Sequence, residues 1–182
     1  MLELEKTPLK DCFILKPRVF EDERGTFYES FNQQRFEEVT GLKINFVQDN
    51  QSTSTRGVLR GFHFQRGAYA QAKLVRTVAG EVLDVVVDLR PDSPTFKKSF
   101  KVLLSNENKL ELFVPAGFAH GFLTISEASV FAYKCDQYYN KKSEAGIIWN
   151  DPTLKIDWEF PEKEIMLSEK DAILPTLDML EL

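Results

Sequence analysis

Histidine and cysteine are scarce in this chain of 182 residues, with two of each. The cysteines, Cys12 and Cys135, cannot build a disulfide framework. Each lies in an apolar, strand-like run, so buried free thiols in a reducing compartment are expected. The two histidines, His63 and His120, are too few for a histidine-rich metal centre. Positive charge is lacking as well: 23 Lys and Arg stand against 28 Asp and Glu, a net charge of −5. That disfavours general nucleic-acid binding, which relies on a basic face to neutralise phosphates. A phosphorylated ligand would have to meet cations gathered locally. The most apolar stretch, Leu112 to Ile125, is broken by Pro115, Gly117, His120 and Gly121, whereas a membrane-spanning helix needs ~20 mostly apolar residues. Residues 1–11 alternate charged and apolar side chains and hold no signal-peptide core. Repeats, low-complexity tracts and linkers are also missing. What remains is a cytoplasmic chain forming one domain over residues 1–182, with 43% hydrophobic residues to fill a core.

Helix signals are few, and strand signals are many. Asn32 is placed to cap a helix over Gln33–Val39 that ends at Gly41, and Ser168 to cap a short turn through Lys170 and Asp171. Elsewhere the period is two. From Glu81 to Leu89, Leu83, Val85, Val87 and Leu89 alternate with Val82, Asp84, Val86 and Asp88, which predicts a strand. Lys73 to Ala79 precedes it with Gly80 at the join, reading as a hairpin. Phe100, Val102 and Leu104 form another alternating set, as do Leu110, Leu112 and Val114 after the polar loop Ser105 to Asn108. A further strand over Ser129 to Tyr139 puts Phe131, Tyr133, Cys135 and Tyr139 on one face. Short strands joined by tight turns point to an all-β sandwich, jelly roll or small barrel.

His63 sits in Gly57-Val58-Leu59-Arg60-Gly61-Phe62-His63-Phe64-Gln65. A lone histidine between phenylalanines is ordinarily a satisfied core residue, but Arg60 stands close by. Strict alternation would put Arg60 and His63 on opposite faces, unless Gly61 hosts a bulge that re-aims one of them. His120 lies in Pro115-Ala116-Gly117-Phe118-Ala119-His120, which resembles the second half-motif of the cupins, Pro-x-Gly-x-x-His. The matching first half offers His63 and Gln65 where metal-binding cupins carry two histidines. The expectation is an all-β, cupin-type jelly roll with a few short helices and no metal. The stripe through Tyr133 reads by itself as core, although a tyrosine facing a histidine inside a barrel makes an acid–base pair.

Several segments together resemble the deoxythymidine-diphosphate (dTDP)-4-dehydrorhamnose 3,5-epimerases, metal-independent cupins of rhamnose biosynthesis. They are Asp22 to Glu29, Gln48 to Ser52, Gly57 to Gln65, Gln71 to Arg76, Asp84 to Phe96, Pro115 to Phe122, Tyr133 to Tyr139, Trp149 to Pro152 and Ser168 to Asp171. They occur in family order over roughly residues 10–175. The resemblance implies His63 as general base, a carboxylate matching Asp171 as its partner, Tyr133 as general acid and Lys73 as the stabiliser of an enolate oxygen at C4. Asp84, on a strand expected near His63, is the alternative partner. Arg24, Glu29, Arg60 and His120 are implied as contacts to the sugar or diphosphate, and Gln48 and Asn50 as nucleotide contacts. Tyr139 matches an aromatic that stacks on thymine, and Glu144 and Lys170 match further substrate contacts. No cofactor, metal, nucleic acid or membrane is implied; a homodimer is, with some contacts crossing between subunits.

The residue types suit that chemistry. Protons on C3 and C5 of a 4-keto sugar are both α to the carbonyl, so removing either gives an enolate. A neutral histidine is an apt base near neutral pH, and a carboxylate on its other nitrogen fixes the tautomer. Inversion needs a proton returned to the opposite face. Rival readings are an epimerase acting at C3 or C5 alone, a ketoisomerase on the same scaffold, a non-catalytic nucleotide-sugar-binding cupin and a metal-dependent oxygenase.

Overall fold

The computed structural model describes residues 2–181, within which thirteen strands and two α-helices are found. In chain order the strands are β1 (Glu3–Lys6), β2 (Phe13–Lys16), β3 (Val19–Asp22), β4 (Gly25–Tyr28), β5 (Gln48–Thr55), β6 (Leu59–Gln65) and β7 (Lys73–Ala79). β8 (Glu81–Asp88), β9 (Ser99–Ser105), β10 (Glu111–Val114), β11 (Phe118–Thr124), β12 (Ala128–Cys135) and β13 (Glu144–Gly146) follow. A six-stranded sheet has the order β1-β2-β10-β7-β12-β5, and a five-stranded sheet β13-β6-β11-β8-β9. β3 and β4 form a separate two-stranded ribbon. All strand pairs named here are antiparallel. Two sheets packed face to face with crossing connections are the jelly roll expected of a cupin.

Three apolar layers account for the burial. Between the sheets, Val82, Val86, Leu104, Phe118 and Phe122 meet Ile14, Val75, Leu112 and Phe131. Outside the five-stranded sheet, Leu83, Val85, Val87 and Phe62 are covered by Ile147, Trp158 and Leu177 of the C-terminal segment. Outside the six-stranded sheet, Leu15, Leu74 and Phe113 are covered by Phe36. Hence both sets of alternating positions on β8 are buried, and the strand reads as nearly continuous apolar sequence. The helices start where their caps place them. In α1 (Gln33–Thr40), Asn32 accepts from the Arg35 N–H and Gly41 closes the end at φ 71°. In α2 (Glu169–Ala172), Ser168 accepts from the Asp171 N–H. No helix among the described residues is long and apolar enough to cross a membrane.

Two sequence expectations need correction. β7 and β8 are not a hairpin, because β7 pairs with β10 and β12 while β8 pairs with β9 and β11. Gly80 turns the chain from one sheet into the other at φ 74°, where an added Cβ would lie 2.0 Å from the Ala128 carbonyl oxygen. β12 ends at Cys135 rather than Tyr139, so Tyr139 belongs to the loop beyond it.

Candidate active site

Polar residues interrupt the inward-facing apolar stripes at a few points, and these points meet. On β8 the stripe reads Val82-Asp84-Val86, and on β11 Phe118-His120-Phe122, with the four apolar members in the inter-sheet core. Across the gap, Lys73 precedes Val75 on β7 and Tyr133 follows Phe131 on β12. β5 pairs Asn50 with Tyr133 and Ser52 with Phe131, so its inward face is polar. Asn50, Ser52, Lys73, His120 and Tyr133 line a cleft of about 600 Å³ whose further walls include Arg60, His63, Lys170 and Asp171, while Asp84 is fully buried. An adjoining cavity of about 300 Å³ shares Asn50, His63, Lys73 and Tyr133 and adds Gln48, Tyr139 and Glu144.

A bulge brings Arg60 and His63 to the same wall. His63 is the Cα partner of His120 and Arg60 that of Phe122, so β6 spends one residue more than β11 over this stretch. Gly61 supplies the irregular step at φ 127°, and its missing Cβ lets the strands approach: a Cβ there would lie 2.5 Å from Gly121 Cα. The bulge expected at Gly61 is therefore present. Arg60 is an exposed side chain that donates to Ser54 Oγ at 3.1 Å, and it has no ion-pair partner among the described residues, which leaves its charge available to an anion.

The partner of His63 is Asp171, not Asp84. His63 Nε2 lies 2.9 Å from Asp171 Oδ1, and Asp171 Oδ2 accepts from the Gly61 N–H at 3.5 Å. Burial opposes ionisation of Asp171, but hydrogen bonds and attraction from His63, the Gly61 N–H and the Ser168 hydroxyl outweigh it and hold the carboxyl below the usual range. With Nε2–H committed to Asp171, His63 is left with the Nδ1 lone pair, which has no hydrogen-bond partner among the described residues. That is a base with its tautomer set. Asp84 pairs instead with His120, Oδ2 to Nε2, at 2.8 Å.

Lys73 is 8% exposed, and its Nζ lies 5.9 Å from the centroid of the Tyr133 ring. Burial pulls the lysine below the ordinary range, against the attraction of Cys135, Asp84 and Glu144. Burial likewise raises Tyr133, which Arg60 only partly offsets, so the phenol keeps its proton. At the rim, Tyr139 donates from its hydroxyl to Glu144 Oε2 at 3.0 Å and from its N–H to Gln48 Oε1 at 3.0 Å. Lys170 Nζ meets Glu144 Oε1 at 2.5 Å.

The structure thus brings together eleven of the thirteen site residues expected from sequence. The other two, Arg24 and Glu29, do not line this cleft. Arg24 sits at the turn of the β3–β4 ribbon, bound to Asp22, and Glu29 follows the ribbon and pairs with Arg35. The ribbon pairs its backbone with neither large sheet, and within one chain the two residues stay outside the cleft. Sequence reasoning missed Ser52, whose buried hydroxyl has no partner among the described residues, and the place of Asp84 beside His120. The signal was available for both: a polar set, Gln48, Asn50, Ser52 and Ser54, at alternate positions of β5, and one aspartate inside an apolar stripe. Among the described residues, no three His, Cys, Asp or Glu side chains gather as a metal site.

A family model described as dTDP-4-dehydrorhamnose 3,5-epimerase matches residues 6–179. The Salmonella typhimurium protein of that name is 54% identical over 178 residues, covering 98% of this chain and 97% of the relative. A dTDP-4-dehydrorhamnose 3,5-epimerase from Elizabethkingia anophelis superposes with a TM-score of 0.94 at 56% identity, over 97% of each chain. A dTDP-6-deoxy-D-glucose-3,5-epimerase from Legionella pneumophila, solved in complex with dTDP-4-keto-L-rhamnose, gives a TM-score of 0.95 at 46% identity, over 100% of this chain and 95% of the other.

Proposed function

The chain belongs to the dTDP-4-dehydrorhamnose 3,5-epimerase family, and from that premise we propose that it is an isomerase inverting C3 and C5 of dTDP-4-dehydro-6-deoxy-D-glucose to give dTDP-4-dehydro-L-rhamnose. The observation that carries the reading is the His63–Asp171 pair at 2.9 Å in a cleft that also holds Lys73 and Tyr133.

His63 Nδ1 removes the proton from a carbon next to the C4 carbonyl. The C–H electrons form a carbon–carbon double bond and the carbonyl pair moves onto oxygen. Asp171 stabilises the imidazolium as its ring gains charge. Lys73 donates to the enolate oxygen, a contribution of a few kcal/mol for a well-placed donor. Tyr133 then gives its proton to the same carbon from the other side, which inverts the centre. Before the second carbon reacts, the imidazolium returns a proton to solvent and the phenolate takes one up, so the sequence is proton-neutral and draws on no cofactor. His120 borders the sugar; Arg60 and Lys170 supply local positive charge for the diphosphate in a chain of net charge −5. Gln48, Asn50 and Glu144 line the nucleotide end, where Tyr139, 53% exposed, offers a face for thymine.

The same reading makes the protein a cytoplasmic homodimer of single-domain subunits. Two features support the dimer: β1 is a sheet edge with unpaired backbone groups, and the β3–β4 ribbon exposes Phe20 and Phe27, the latter 71%. A ribbon carrying Arg24 and Glu29 into the neighbouring subunit's cleft would bring the two missing contacts to the substrate.

The test is isotopic. Incubating the protein with the keto-sugar nucleotide in deuterium oxide and following it by NMR should place deuterium at both C3 and C5. Label at one carbon alone would establish a single-centre epimerase, and no label would leave a binding protein.

A further inference from the structure

Two carboxylates lie beneath the cleft, and the proposed reaction uses only Asp171. The other, Asp84, is 0% exposed. Its Oδ2 lies 2.8 Å from His120 Nε2, and its Oδ1 has no hydrogen-bond partner among the described residues. A carboxylate this deep is strongly disfavoured unless positive charge or donors face it. His120 from β11 meets it directly, while Lys73, on β7 of the opposite sheet, and the Cys12 thiol ahead of β2 lie within reach of its charge without touching it. The thiol, pushed up to about 12 by burial, offers no charge in either direction. Lys73 in turn faces Tyr133 and Cys135 from β12 and Glu144 from β13, in a cleft it shares with His63, Arg60, Lys170 and Asp171. Of these anionic groups, Asp84 alone is fully enclosed. The His120 ring is stacked on Phe131 at 6.0 Å and 25°; with Nε2 turned toward Asp84, its free nitrogen is Nδ1, on a ring that borders the cleft.

We propose that Asp84 is a positioning residue for the reaction: it holds His120 with Nε2–H turned inward and Nδ1 toward the sugar, and serves as the buried counter-ion shared by His120 and Lys73. The inference rests on the epimerase reading for its kinetic consequence, though not for the geometry of the pair. As charge develops on the C4 oxygen, the ammonium of Lys73 must stay protonated in a place where burial works against it. A fixed negative charge behind it preserves that state without touching substrate. The same charge sets the His120 tautomer, as Asp171 does for His63. Each histidine therefore has its own carboxylate, and the two residues are Cα partners across β6 and β11.

Asp84→Asn is the informative variant, because the amide oxygen can still accept from Nε2–H while the charge is gone. Its kcat should fall about 10- to 100-fold with KM changed less than about threefold, and the alkaline limb of its pH–rate profile should move to lower pH as Lys73 loses its counter-ion. A purely structural role would lower the melting temperature and leave that limb in place. Wild-type kcat together with an unmoved limb would overturn the proposal. Should the variant fail to fold, NMR decides. The chain has two histidines, so His63→Asn leaves a single imidazole whose ring nitrogens can be read by ¹⁵N NMR without turnover. The neutral His120 ring should carry its proton on Nε2; a proton on Nδ1 would overturn the proposal. An Nε2–H ring in this variant, together with a wild-type protein that puts no deuterium into the sugar, would count against the epimerase reading and for the pair.

Discussion

In the proposed reaction Tyr133 and His63 work on two faces of one sugar, and that division can be tested by removing the acid alone. In Tyr133→Phe the base and Lys73 remain, so the enolate still forms and proton return must come from the side of His63. Inversion should fall by about 10²–10⁴-fold while deuterium still enters with retained configuration, measured by NMR of the recovered sugar. Equal loss of exchange and inversion would remove Tyr133 from the acid role. Both histidines stood out in sequence because each sits in a distinctive local motif, whereas the stripe through Tyr133 reads by itself as core and the family resemblance alone singled it out. The assignment of carboxylates was not, since Asp171 and Asp84 are far apart along the chain and only the fold decides which histidine each one meets. Asp84 was chemically conspicuous all the same: an ionisable residue at the centre of an apolar strand.

Strands and turns carry their own consequences. Gly61 holds the bulge that turns Arg60 and His63 to one wall, and Gly61→Ala sets a methyl against the backbone of β11 at a φ that L-residues rarely adopt. Destabilisation of at least about 1–3 kcal/mol is expected, read as a lowered melting temperature together with lost activity; an unaffected variant would mean that the bulge is dispensable. On β10, Glu111 is 3% exposed, and its Oε1 has no partner among the described residues. Burial pushes its carboxyl up to about 8, partly opposed by Arg76 and Lys134. The native state therefore binds a proton that the unfolded chain releases above its ordinary value of 4.5. Stability is full below that value and declines as pH rises toward 8, by a few kcal/mol at one pK unit per about 1.4 kcal/mol. Glu111→Gln should melt above the wild type at pH 8–9 and alongside it near pH 4, by calorimetry; parallel curves for the two proteins would contradict this. Strand periodicity was legible at β8, as were the cap and stop of α1. Partnership was not: alternation at β7 and β8 says that both are strands, but Gly80 turning between sheets looks the same in sequence as Gly80 closing a hairpin.

For the whole molecule, the jelly roll was readable from short alternating strands together with the Pro115-to-His120 turn, and the family from the order of its motifs. Arg24 and Glu29 were legible as motif matches, but the ribbon that carries them pairs its backbone with neither large sheet, and both stay outside the cleft of their own chain. Sedimentation should give about twice the chain mass of 21.0 kDa. Mixing extends the test. Arg24→Ala and His63→Asn dimers should each be impaired, yet after subunit exchange one cleft of the hybrid holds an intact His63 and receives Arg24 from its neighbour. Activity should recover; no recovery would place Arg24 at the cleft of its own chain.

The central claim, that one imidazole takes carbon-bound protons from the keto sugar, is tested most directly by deuterium exchange in His63→Asn. With dTDP still bound and the melting temperature near that of the wild type, exchange at C3 and at C5 should both be lost. Persistence of wild-type exchange at either carbon would contradict the account.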